Sequence, residues 1–414
     1  MYSNQANLVK TLRDNLKELK TIFRGNVGAI ALSWLLFSLT GSLINPFFAK
    51  YAKDLGAGDY DVALMRSLGM LALAVSLIPG GILTDYLGRV KVILIGTGLI
   101  SIMQFLYAFS PDWRFLTIVY VVDTAAHFYQ PALTAIVMDS LNRGEEFKGF
   151  LGLNIVSTIP GLFMPIIGGL LYDEIGVTGV RLGFLLQGIV AIIVLLLRIK
   201  ALRETFIPRD KDLSRIILEL AGYRGILSKA LKLYVFTSIL WQVTMGVYNT
   251  YMSLYVVDVL KLTKLTWGTI SAFSTLGTIL SSLYLVGAKV NIEKYSFQSA
   301  IVISTSLLAL AVPSYISNNY IKIGLLVVIS LVISIASNIL GSTISAMLTK
   351  ILPVEIRGRA IGIQRLLDNI GASIASQVAA AFYIILGYDE SFISSGLIGL
   401  MSCIYLYFIL LRKL

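Results

Sequence analysis

Charged residues are scarce in this 414-residue chain, 14% of positions against 57% hydrophobic ones. An average soluble protein carries about 25% charged residues, so too few are present to coat a globule in water. Disorder is excluded by the same figures, because it needs low hydrophobicity and high charge. Histidine and cysteine occur once each, as His127 and Cys403. A lone cysteine rules out a disulfide framework, and with one histidine the usual zinc sites and HExxH protease chemistry also fall away. No G-x-x-x-x-G-K-[ST] loop is present, so ATP is not hydrolysed by that route. Acids are outnumbered, 23 against 34 Lys and Arg, for a net charge of +11. At a mean hydropathy of +0.82, that excess points to loops held at an anionic leaflet, not to nucleic acid. What remains is a polytopic membrane protein, with no catalytic residues, metal or cofactor expected.

Crossing roughly 30 Å of hydrocarbon takes about 20 mostly apolar residues. Such stretches recur at 26–49, 60–84, 91–110, 114–138, 149–172 and 180–198, then at 231–257, 266–288, 296–315, 320–349, 358–386 and 392–411. Backbone groups in lipid must bond within their own segment, so these spans are predicted to be helices. The expected fold is an all-α membrane protein of twelve transmembrane helices, arranged as two pseudo-symmetric six-helix bundles over 26–198 and 231–414. Between them, 199–230 is a sustained polar stretch. There Leu213, Ile216, Ile217 and Leu220 make an amphipathic stripe, predicting a surface helix in a cytoplasmic linker. Within 1–25, Leu8, Leu12, Leu16, Leu19 and Phe23 share one helical face, with Lys10, Arg13, Lys17 and Lys20 around it. That pattern predicts a helix lying on the membrane surface, not a secretory signal. With the N-terminus inside, 25 of the 34 basic residues fall on inside segments and eight on outside ones. Both termini are therefore predicted to be cytoplasmic, in a plasma membrane of prokaryotic type.

The loop after the second span reads Gly80-Gly81-Ile82-Leu83-Thr84-Asp85-Tyr86-Leu87-Gly88-Arg89-Val90-Lys91. Its glycines permit tight turning and close helix approach. Asp85 can accept from free N–H groups at a helix N-terminus, and Arg89 can form a bidentate pair with a carboxylate. The loop resembles the G-x-L-x-D-x-x-G-R-x-K signature of the major facilitator superfamily, at the position where that family carries it. The second-half counterpart, Gly287 to Lys294, is a worn copy, with Asn291 for Asp and Lys294 for Gly. Arg357-Gly358-Arg359-Ala360-Ile361-Gly362 resembles the family's R-G-x-A-x-G at the start of span eleven, and Lys148-Gly149 with Gly152 is a looser echo. The resemblance implies a rocker-switch transporter, with Gly81, Asp85, Gly88, Arg89, Asp139 and Gly358 forming a latch on the cytoplasmic side. In span five, Pro165, Gly168 and Gly169 match the G-P-x-x-G-G core of the family's drug/proton antiporters, whereas Met164 departs from it.

Ionisable groups at bilayer depth are costly and mark functional candidates. Span four holds Asp123 and His127 four residues apart, with Gln130 a turn further, and Asp123 lies roughly 14 Å from the outer end at 1.5 Å per residue. An acid beside an imidazole can hold and release a proton. Span eleven holds Arg365 and Asp368, which either pair at three-residue spacing or face a cavity. Arg66, near the outer end of span two, is read as snorkelling to the interface. The resemblance implies that spans one, four, seven and ten line the cavity. There Trp34, Asn45, Gln130, Trp241, Gln242, Tyr248, Asn249 and Asn338 are candidate lining residues.

The expected function is secondary transport of a small organic solute by alternating access, driven by a proton gradient: export of hydrophobic or cationic compounds by a monomer in the bilayer. An uptake symporter for a small polar or anionic metabolite, using Arg365 and Arg66, is the alternative. A membrane-embedded enzyme is remote. Gly56-Ala57-Gly58-Asp59 matches the G-x-G-D of intramembrane aspartyl proteases, but falls in an outer loop, and no Tyr-Asp pair stands in a preceding span.

Overall fold

The computed structural model describes residues 23–142, 146–205, 224–287, 290–352 and 354–411, the side chains at 146–148, 224–229, 286–287, 354–359 and 411 excepted. The amphipathic stripes expected at 1–25 and around Leu213 to Leu220 lie outside the described residues.

Twelve helical rods follow one another. In the first half, α1 runs over Gly25–Asp54, α2 over Asp59–Leu87 and α3 over Arg89–Ala108. α4 joins Trp113–Ala126 to Gln130–Ser140, α5 joins Glu146–Thr158 to Met164–Ile175, and α6 is Val177–Ala201. In the second half, α7 runs from Arg224–Val235 through Trp241–Leu254, and α8 is Lys264–Gly287. α9 covers Ile292–Tyr315 and α10 covers Asn319–Ile351. α11 is Val354–Ile385 and α12 is Tyr388–Leu411. Among the described residues, nine rods are long and apolar enough to cross a membrane by length and composition. The other three, α4, α8 and α11, are richer in polar residues, and α4 holds Arg114, Asp123 and Asp139. Ile78, Ile102, Ile118, Ile193, Val328 and Phe408 are among the apolar side chains left on the outer wall, as a lipid-facing surface requires.

Proline accompanies three of the irregularities. Short 3-10 turns interrupt α1 at Asn45–Phe47 and α5 at Ile159–Leu162, around Pro46 and Pro160. In α4 the turn is His127–Tyr129, with Pro131 opening the helix that follows. A ring nitrogen cannot donate to the helix ladder, so the ladder breaks there. Glycine sets the tightest turn. Gly88 alone links α2 to α3 at φ +87°, a left-handed conformation that a side chain disfavours.

Within the first half α6 packs on α3 and α1, and α4 on α2; within the second, α9 and α8 pack on α10, α12 on α9, and α7 on α11. The halves meet along two seams, α2 against α11 and α5 against α8. At the second seam backbones approach closely. A Cβ at Gly169 would fall 2.6 Å from the Lys264 carbonyl oxygen, and one at Gly268 would strike the Pro165 carbonyl. Both described chain ends, Phe23 and Leu411, lie at one face of the bundle, called here the terminal face; the other is the far face.

Candidate functional site

A cavity of about 900 Å³ is walled almost wholly by the first half, with Arg365 of the second half also on its wall. Its wall is aromatic and polar: Trp34, Phe37, Asn45 and Phe48 from α1, Tyr120, Asp123, His127, Gln130 and Thr134 from α4, with Arg66, Arg198 and Arg365 from α2, α6 and α11. Tyr248 and Asn249 border a smaller space of about 270 Å³ toward the far face, which shares Asn45, Phe48, Arg66 and Tyr120 with the large one. Arg66 therefore faces cavity instead of snorkelling outward.

Several expectations are corrected. The Asp123 carboxylate does not meet the His127 ring. The helix breaks at His127, whose Nδ1–H donates to the Asp123 backbone carbonyl at 2.8 Å, leaving Nε2 as the remaining ring nitrogen. The Asp123 carboxylate instead accepts from Gln104 Nε2 at 3.3 Å. Asp368 and Arg365 form no ion pair, because Asp368 accepts from Ser238 Oγ at 2.5 Å while Arg365 turns to the cavity. Asn338 is consumed by α8, donating to Ser281 Oγ and Ser282 Oγ at 2.9 Å. Trp241 packs on Phe236 with ring centroids 5.7 Å apart, and Gln242 lies beside Gly371. None of these three lines either space.

At the terminal face Arg89 forms an ion pair with Asp139. It also donates to the Ala135 carbonyl at 3.1 Å and to Thr205 Oγ1 at 3.0 Å. Glu204 caps α3, accepting from the Arg89 and Val90 N–H groups at 3.2 and 3.0 Å, where the helix dipole favours an anion. All of these groups belong to the first half. Asp85 sits in the last turn of α2. Gly358 lies in α11 among side chains that are not described, so the contact expected between the two falls outside the described residues. The close approach in the signature loop is made by Gly80, whose Cβ would strike the Phe128 carbonyl in the α4 turn; around Gly81 there is open space.

At the far face the ties cross between halves. Lys50 bridges Asp54 at 2.6 Å and Asp258 at 3.0 Å. Trp267 Nε1 donates to the Pro46 carbonyl at 2.6 Å and Tyr251 Oη to the Asp59 carbonyl at 2.8 Å. Asp173 accepts from the Lys264 and Leu265 N–H groups at 3.1 and 2.8 Å, capping α8. Sequence reasoning counted Lys50 and Lys264 only as loop charges. These ties join positions about 90 to 220 residues apart, which no local pattern encodes.

A polar, charged cavity walled by one six-helix half and touched by the other, inside a lipid-facing shell, fits a membrane transport protein. The sequence profile of the Major Facilitator Superfamily matches residues 30–318 and 292–413, and the chain belongs to that superfamily. It is similar to the quinolone resistance protein NorA of Staphylococcus aureus, 24% identical over 346 residues that make up 82% of this chain and 85% of that one. It is also similar to the multi-drug resistance efflux pump PmrA of Streptococcus pneumoniae, 29% identical over 192 residues, 44% of this chain and 47% of that one. The solved structure of the nucleoside transporter NupG superposes with a TM-score of 0.74 over 94% of this chain and 99% of that one, at 14% identity, a likeness of fold.

Proposed function

We propose that this transporter exports small hydrophobic organic compounds against a proton gradient, as a monomer in a prokaryotic plasma membrane with its termini in the cytoplasm. The observation that carries the reading is Asp123, a carboxylate at mid-depth on the wall of an aromatic cavity, with no cation in ion-pair contact among the described residues. Its neighbours are Gln104, Tyr107, Tyr120 and His127. Such a carboxylate can carry a proton while the cavity alternates between faces. Ties between the halves at the far face support a route from the cavity toward the terminal face. Similarity to a resistance protein and an efflux pump supports export. The arginines on the wall argue against the cationic part of the expected cargo. They also favour a second reading, uptake of a small anionic metabolite with protons.

Purified protein in liposomes loaded with a pH-sensitive dye tests this, with hydrophobic amines, acids and neutral compounds added under gradients of either sign. Cargo moving against the proton flow is expected, and cargo moving with it would replace export by symport. Asp123→Asn should reduce gradient-driven transport to background while gradient-free exchange stays within about twofold. Driven transport that survives this change would remove Asp123 from the coupling role.

A further inference from the structure

Arg198 is the largest side chain in the protein with no exposure to solvent. It stands near the end of α6, at the meeting of α1, α3 and α4. Nη1 donates to Thr97 Oγ1 at 2.6 Å and Nε to Ser33 Oγ at 3.3 Å. Both hydroxyls spend their own protons on backbone carbonyls, Thr97 on Ile93 and Ser33 on Ala29, so they meet the guanidinium only with lone pairs. The Phe37 and Tyr129 rings lie 5.6 and 5.7 Å from its carbon, adding their π-faces. No carboxylate pairs with it among the described residues, and Nη2 has no hydrogen-bond partner at all.

An arginine keeps its charge in proteins, and an uncompensated buried charge is among the most destabilising things a fold can hold. A merely structural arginine would be expected to have a carboxylate beside it. Here Arg198 is among the residues lining the cavity, and its buried Nη2 has no hydrogen-bond partner. The cavity's other fixed charges point the same way. Arg66 and Arg365 are also on its wall without ion pairs among the described residues, against the single carboxylate of Asp123. The surrounding wall supplies Trp34, Phe37, Tyr129, Phe150 and Phe184 for an apolar body.

We propose that Arg198 is the anchor for an anionic group of the cargo, and that the cargo is a small organic anion, a carboxylate or similar group on an aromatic or aliphatic body. The anion completes the guanidinium fork through Nη2 and supplies the charge that Ser33 and Thr97 do not, while its body lies against the rings. The proposal rests on the reading of this cavity as the transport site, but not on the direction of transport or on proton coupling.

The test is equilibrium dialysis of the full-length protein in lipid-free neutral detergent, without any gradient. The probes are three of one shape: naphthaleneacetate, naphthaleneacetamide and naphthylethylamine. Naphthaleneacetate is expected to bind at least about tenfold more tightly than the amide or the amine. Arg198→Gln should remove that preference, and Arg198→Lys should keep it at lower affinity, since a point charge replaces the fork. Equal binding of the three probes by the native protein overturns the proposal, and so does an undiminished preference in Arg198→Gln. If Arg198→Gln does not fold, the native comparison and Arg198→Lys still decide; a lysine variant that has lost the preference counts against anchoring by charge. Liposome transport of the same probes separates this inference from the proposed function. Selective binding of the acid without gradient-driven movement keeps the anchor and removes the driven transport. Driven movement of the amide as readily as the acid keeps the transporter and removes the anchor.

Discussion

The two faces of the molecule are tied in opposite ways. At the far face several of the described hydrogen bonds and ion pairs run from one half to the other, through Lys50, Trp267, Tyr251 and Asp173. At the terminal face the described ties of Arg89, Glu204 and Asn26 stay inside the first half. Asn26 Nδ2 donates to Ser140 Oγ and to the Arg203 carbonyl at 3.0 Å, and Arg89 holds Asp139 and Ala135. One set of contacts can be made and broken as the halves rock; the other holds one half rigid while they do. Alternating access needs both kinds, because a rocking body that deforms cannot expose its cavity to one side at a time.

The largest expected effect comes from wedging the far seam. At Gly268 an added side chain meets the Pro165 backbone, which cannot rotate away as a side chain can. Overpacking costs about 1–3 kcal/mol where neighbours can adjust, and each 1.4 kcal/mol shifts an equilibrium about tenfold. Gly268→Leu is therefore expected to favour an open far face and to cut transport by about tenfold or more. Gly341→Leu, where a Cβ meets nothing within 4 Å, should be close to silent. Maleimide labelling of a cysteine placed at Asn249 checks the opening, since the native Cys403 is buried. Unchanged labelling together with full transport would show that this seam does not switch.

Breaking the terminal face should have a different signature. Arg89→Ala removes an ion pair and two hydrogen bonds inside the first half, about 1–3 kcal/mol of fold stability for partly exposed groups. Thermal unfolding in detergent should move down, and labelling at Asn249 should move little. The reverse pattern would make Arg89 part of the switching machinery and not of the rigid half.

Much of this frame was legible in the sequence, and the reasons for the gaps are physical. Apolar runs locate helices because lipid forbids unsatisfied backbone, and intramembrane charges located Asp123, His127 and Arg365 on the cavity wall for the same reason of cost. The geometry between Asp123 and His127 was lost because four-residue spacing presumes an unbroken helix. Pro131 was the readable warning that it is broken. Arg198 was counted among the basic residues of the central interval, since it stands three residues from the end of α6. Its burial is made by Ser33, Phe37, Thr97 and Tyr129 on three other helices. Asn338, Trp241 and Gln242 were misassigned because an apolar span carries little record of its own rotation. Gly81 stood in for Gly80 because adjacent glycines differ only in what they face.

The smallest expected effect is also the sharpest probe of the contrast between faces. Lys50 is shared between Asp54 on its own helix and Asp258 across the seam, with side chains 15%, 25% and 29% exposed. Pairs of this exposure contribute about 0.5–1 kcal/mol. Asp258→Asn should therefore shift the balance between open and closed far faces by about two- to fivefold without altering thermal stability measurably. Lys50→Met should do the same, and the two together should do no more than either alone, because each already removes the Lys50–Asp258 pair. Labelling rates at Asn249 across this double-mutant cycle measure the coupling. Additive shifts would mean that Lys50 acts chiefly through Asp54, inside one half, and the far face would then be sealed by Trp267, Tyr251 and the α8 cap alone.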